Sequence, residues 1–125
     1  MRLLGLAWSG SGSESIREAA SQLAAAQRAD GGWAQLDTLG SDAYATGQAI
    51  YALHTAGHLG SETLQKSIRF LLENQRADGS WHVRSRSYPI QSNYFDTGFP
   101  HGRDQWISAA GTSWACIALS LAIRR

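Results

Sequence analysis

The sequence predicts an all-α protein built as an array, an α/α ring or solenoid of alternating outer and inner helices. The first observation behind this is a duplicated phrase, Gln27-Arg28-Ala29-Asp30-Gly31-Gly32-Trp33 and Gln75-Arg76-Ala77-Asp78-Gly79-Ser80-Trp81, 48 residues apart (75 − 27). The copies differ at one position, and so long a match at that separation marks one supersecondary unit used twice. The second is helical periodicity on both sides of each copy, amphipathic before it and apolar nearly all round after it. The chain therefore reads as one partial domain over residues 1–125, with repeat 1 at about 13–57 and repeat 2 at about 61–123.

The elements follow in order. Subtracting the repeat spacing from Tyr51–Gly57 lands on Leu3–Ser9, so the chain is expected to open in the tail of an inner helix. Ser9-Gly10-Ser11-Gly12-Ser13 reads as a linker; it shares Gly and Ser with a nucleophile elbow but lacks the strand and the spacing. Ser13-Glu14 and Ser61-Glu62 each offer a serine N-cap and an acid in the first turn of an outer helix. Behind them Ile16, Ala20, Leu23 and Ala24 match Leu64, Ile68, Leu71 and Leu72, one apolar stripe per helix. Each stripe ends near the glutamine of the phrase, where Asp-Gly supplies a turn.

Inner helices are expected at Asp42–Gly57 and Gln105–Ile123, where Thr46, Ala49, Ala52 and Leu53 match Thr112, Ala115, Ala118 and Leu119 at an offset of 66 (112 − 46). The second unit thus carries 18 extra residues (66 − 48), the long loop at 82–105. Ile107 to Ile123 is an uncharged stretch just short of the usual membrane-spanning length, and a buried helix explains it better than an integral membrane segment. Two outer helices, two whole inner helices and a stub cannot close a ring. The expectation is a piece of a larger protein, or a chain that buries its edges by self-association.

Composition excludes little beyond this. A net charge of +1 with scattered Lys and Arg leaves no electrostatic footprint for nucleic acid. One cysteine, Cys116, excludes an internal disulfide and leaves the compartment open. The apolar run at Met1–Trp8 is too short for a signal peptide.

Phe70-Leu71, Gln75, Gly79 and Trp81, with Lys66-Ser67 ahead of them, resemble the QW motif of squalene–hopene and oxidosqualene cyclases. The first copy keeps Leu23, Gln27, Gly31 and Trp33 but has Gln22 at the aromatic position. The resemblance spans nearly the whole chain and implies an α/α toroid in which Gln27 and Gln75 cap outer helices and stack on the indoles of Trp33 and Trp81. It also implies where chemistry would sit. Such cyclases protonate their substrate with an Asp-x-Asp-Asp-Thr-Ala motif at the head of an inner helix, and the matching stretch here is Asp42-Ala43-Tyr44-Ala45-Thr46-Gly47. The first Asp and the Thr are kept, while Tyr44 and Ala45 replace the acids. A phenol, with an ordinary pKa of about 10, cannot replace a strong buried carboxylic acid.

No cofactor or metal is expected. Protein prenyltransferases share the toroid and need zinc held by Asp, Cys and His, but Cys116 lacks the Asp-x-Cys spacing and reads as a buried core thiol. A complement-type Cys-Gly-Glu-Gln thioester run is absent. His54 and His58 lie four apart at a helix end without a third ligand, which reads as a solvated end favoured by the helix dipole.

The loop at 82–105 is the expected functional surface, since loops this long inside compact domains are usually functional or disordered, and its aromatics argue for burial. Tyr88, Tyr94, Phe95, Phe99, nearby Trp106 and Tyr44 are the candidate ligand contacts. Asp96, His101, Asp104 and Asp42 are the candidate catalytic groups, with His101 tuning Asp96 or Asp104. A structural alternative has Asp104 capping the next helix and Arg103 pairing with Asp96. The functional expectation is part of an apolar cavity for an isoprenoid-like molecule, not catalytic on its own. The alternative is a non-catalytic repeat scaffold for protein or glycan interaction.

Overall fold

The computed structural model describes residues 2–87 and 95–123. Its order is α1 (Arg2–Trp8), α2 (Ser13–Ala25), α3 (Ala43–Thr55), α4 (Ser61–Asn74), a 3-10 turn (Gly102–Asp104) and α5 (Gln105–Ile123). Among the described residues there is no strand, only an isolated bridge between Trp33 and Asp42. Helices α2 and α4 form the outer layer, while α1, α3 and α5 form the inner one. Helix α3 touches each of the other four, so the core is centred on its Ile50 and Leu53, with Leu4, Leu71 and Val83 closing around them.

Both expected offsets appear as duplicated hydrogen bonds. The backbone N–H of Trp33 donates to Thr46 Oγ1 at 2.9 Å, and that of Trp81 donates to Thr112 Oγ1 at 3.0 Å. In each turn Arg28 or Arg76 bonds the carbonyl of Gly32 or Ser80, and Asp30 or Asp78 accepts from the residue two ahead. Gly31 and Gly79 take φ of +88° and +86°, a region costly for any residue with a Cβ. Gly31 is fixed twice over, because an added Cβ would lie 2.3 Å from the Lys66 carbonyl oxygen of α4.

The two signature side chains divide their work differently from what the resemblance implies. The last carbonyls of a helix lack intrahelical donors. Here the indoles reach that end: Trp33 Nε1 donates to Leu23 O at 2.8 Å, beside the backbone N–H of Ala26 at 3.2 Å, and Trp81 Nε1 donates to Leu71 O at 2.7 Å. Gln27 Nε2 instead bonds Gly31 O and, across the layer, Thr63 O of α4, each at 3.0 Å. Among the described residues Gln75 Nε2 bonds Gly79 O alone, at 2.9 Å. The glutamine pins its own turn, and in repeat 1 pins that turn to the next outer helix.

Three further expectations are corrected. The N-caps are Gly12 and Gly60, not Ser13 and Ser61; Ile16 and Leu64 already bond the glycine carbonyls, so both serines fall inside the first turn. Cys116 is exposed, because it lies on the side of α5 away from α3. Helix α5 is buried on one side only, through Gln105, Ser108, Gly111, Ala115 and Ala118, while Trp106, Ile117 and Ile123 are exposed. Together with the 3-10 turn before it, the stretch Gly102–Ile123 is long and apolar enough to cross a membrane, with a mean hydropathy of 1.5 over an 18-residue window, of which 22% is buried. Helix α3 matches the expectation of an inner helix better, since it has neighbours on more sides.

Candidate functional site

A cavity of about 480 Å³ opens between α1, α2 and the head of α3. Its apolar floor includes Leu3, Ala19, Leu23, Ala45, Ala49 and Ala52, with Trp33 to one side. Polar lining comes from Gln22, Gln35, Gln48 and Tyr44, and charge from Arg2 and Arg86. No carboxylate lines it among the described residues. The volume falls within the range of small-molecule sites, which are mostly apolar with a few placed polar groups.

The head of α3 explains which parts of the Asp42–Gly47 stretch face this cavity. Asp42 is the N-cap: Oδ1 accepts from Ala45 N at 2.7 Å and Oδ2 from Gln35 Nε2 at 2.7 Å. It borders a smaller cleft of about 220 Å³ that also includes Glu73, Arg76 and His82. Thr46 is fully buried against Trp33. Tyr44 and Ala45 line the larger cavity.

The other candidates gather elsewhere. His82 stacks on His101 with ring centroids 4.8 Å apart. His82 Nε2 lies 2.7 Å from Asp104 Oδ2, while Asp104 Oδ1 accepts from Ser85 N at 2.9 Å. His101 Nε2 meets Ser80 Oγ at 2.6 Å, and Ser80 Oγ meets Asp78 Oδ1 at 2.6 Å. A single hydroxyl proton decides the chemistry. An ionised carboxylate can only accept, so Ser80 donates to Asp78 and His101 must donate to Ser80. His101 is then no base for Ser80, and the trio is a clasp rather than a nucleophile. The same bonds hold His101 at φ 85°, a left-handed conformation uncommon outside glycine.

Both clasp carboxyls are depressed. The Ser80 hydroxyl, then its backbone N–H, hold Asp78 below its ordinary 3.8. For Asp104, burial pushes upward, but the Ser85 N–H and the His82 ring outweigh it and hold the carboxyl below 3.8. Asp104 is therefore paired with His82 rather than His101, and its carboxylate bonds lead back to the 82–85 segment instead of capping α5. Asp104→Asn should destabilise the fold by about 1.5 kcal/mol at neutral pH, the scale of a hydrogen bond to a charged group. A depressed carboxyl stabilises above its unfolded pKa and loses that stabilisation as pH falls through its folded value. In urea titrations, the gap between wild type and variant should close as pH drops below 3.8.

Asp96 Oδ1 accepts from Gly98 N, closing a local turn. Phe95, Phe99 and Trp106 do not line the larger cavity; Trp106 is 55% exposed, and its Nε1 donates to Phe95 O at 3.0 Å. Tyr88 and Tyr94 lie outside the described residues. Buried Gln105 anchors this segment, accepting from Thr97 Oγ1 at 2.7 Å and donating to Gly102 O at 2.9 Å. His54 lies in the last turn of α3, His58 lies beyond the helix, and no group of three metal-binding side chains occurs among the described residues.

Sequence reasoning missed Ser80, His82, Arg2 and Arg86. A signal existed for the first two: they break the repeat, standing where copy 1 has Gly32 and Ala34.

Residues 3–108 match the family model described as the squalene-hopene cyclase C-terminal domain. No curated protein and no solved structure matched the chain.

Proposed function

Because the chain belongs to the squalene-hopene cyclase C-terminal domain family, we propose that it contributes part of an apolar, polyprenyl-type ligand cavity without cyclising the ligand itself. One observation carries this reading. Of the four positions that bear acids or Thr in the family's acid motif, the two that are kept, Asp42 and Thr46, are engaged in scaffold bonds. The two that are replaced, Tyr44 and Ala45, line the cavity. That pattern keeps the helix cap and the signature contact while leaving a cavity whose described lining holds no carboxylic acid. Protonating an alkene needs a strong acid held at the carbon to be charged, and the lining supplies only a phenol, amides and guanidinium groups.

Ala45→Trp should fill the cavity at the head of α3. Fluorescence titration with farnesol should show saturable binding to the wild type and at least a tenfold loss in the variant, a displaced apolar contact area being worth that much. Binding that ignores this substitution would overturn the cavity reading. It would favour a second one, a non-catalytic scaffold whose exposed α5 residues Trp106, Ile117 and Ile123 meet another protein surface or a further copy.

A further inference from the structure

We infer that the 480 Å³ cavity selects an amphiphilic anion, an acyl or prenyl chain ending in a carboxylate or phosphate, over a neutral hydrocarbon. The inference rests on the cavity reading above and adds the ligand's head group. Two cations reach this cavity from distant parts of the chain: Arg2 at the start of α1, and Arg86 on the segment after Trp81. Among the described residues neither is neutralised by a carboxylate. Arg2 Nη1 donates to the neutral Gln22 Oε1 at 3.2 Å, and the carboxylate contacts to basic side chains among the described residues are Lys66–Glu62 and His82–Asp104. Arg86 makes no hydrogen bond or ion pair among the described residues.

Guanidinium groups bind planar oxyanions through paired N–H donors, and a partly enclosed site screens that attraction less than open water does. Gln35, Gln48 and Tyr44 lie on the α3 side and can donate to remaining oxygens. The alanine and leucine floor is shaped for chain rather than for further charge. A body of about ten to fifteen carbons suits a site of this volume.

The test uses the full chain and twelve-carbon probes below their micelle concentrations. Calorimetric titration should show dodecanoate and dodecyl phosphate binding about tenfold tighter than dodecan-1-ol, with dodecyltrimethylammonium weakest. In the Arg2→Gln/Arg86→Gln double variant the acids should fall to the level of the alcohol. Both arginines are exposed, and retained alcohol binding shows that the variant is folded. Equal binding of acid and alcohol by the wild type would overturn the head-group assignment and leave the apolar cavity standing. An acid preference that survives in the double variant would overturn the assignment to these arginines. Failure of every probe would overturn both readings. Co-sedimentation with phosphatidylglycerol vesicles, without binding of free dodecanoate, would overturn the free-ligand form.

Discussion

Trp81→Ala will cost about 4 kcal/mol, the range for emptying a buried indole site. Trp81 is 2% exposed, its backbone N–H is held by Thr112 and its indole N–H serves the Leu71 carbonyl at the end of α4. The truncation removes packing and leaves that carbonyl without its donor. Trp81→Phe separates the two effects, since a benzyl ring refills most of the volume but offers no N–H. Its expected cost is about 2 kcal/mol, weighted toward the unsatisfied helix end. Urea unfolding monitored by circular dichroism measures both. Equal costs for the two variants would mean that the hydrogen bond, not the packing, holds the signature in place.

Gly47→Val will separate the two whole inner helices. A Cβ at position 47 would lie 2.5 Å from both the carbonyl carbon and the oxygen of Trp114, backbone atoms that cannot rotate away. Even alanine, favoured over glycine by about 1 kcal/mol within a helix, must move α3 from α5. The expected loss is about 2 kcal/mol for Gly47→Ala and more than about 3 kcal/mol for Gly47→Val, the upper range of overpacking. The Tyr51–Trp114 ring contact, at 5.6 Å between centroids, spans the same interface and should report the shift by a change in tryptophan fluorescence. Thermal unfolding gives the stability loss.

The fold was legible because the repeat is written into the backbone bonding itself. The offset of 66 between Thr46 and Thr112 reads directly as two hydroxyls receiving two signature N–H groups. Helix α5 matched its expected bounds because its pattern is long and uninterrupted. The caps shifted by one residue because glycine and serine both suit an N-cap, and spacing does not separate them. Burial of Cys116 was misread because one apolar sequence can be covered on one side or on all.

The candidate site was legible only in part. Tyr44 was reachable through the acid motif, and it does line the cavity. The His82–Asp104 and Ser80–His101 pairs join residues 22 and 21 apart through an irregular loop, so no periodicity announces them. Arg2 and Arg86 converge only because α1 packs beside α2 and α3, a tertiary fact. What the repeat does mark is where to look, since Ser80 and His82 are departures from copy 1.

Incubation of squalene with the chain, followed by gas chromatography and mass spectrometry, tests the central claim most directly. On the reading proposed above, protein of verified helicity and ligand binding should return squalene unchanged, because Tyr44 and Ala45 offer no carboxylic acid at the cavity. Any cyclised triterpene in the extract would contradict that account and require an acid other than those of the acid motif.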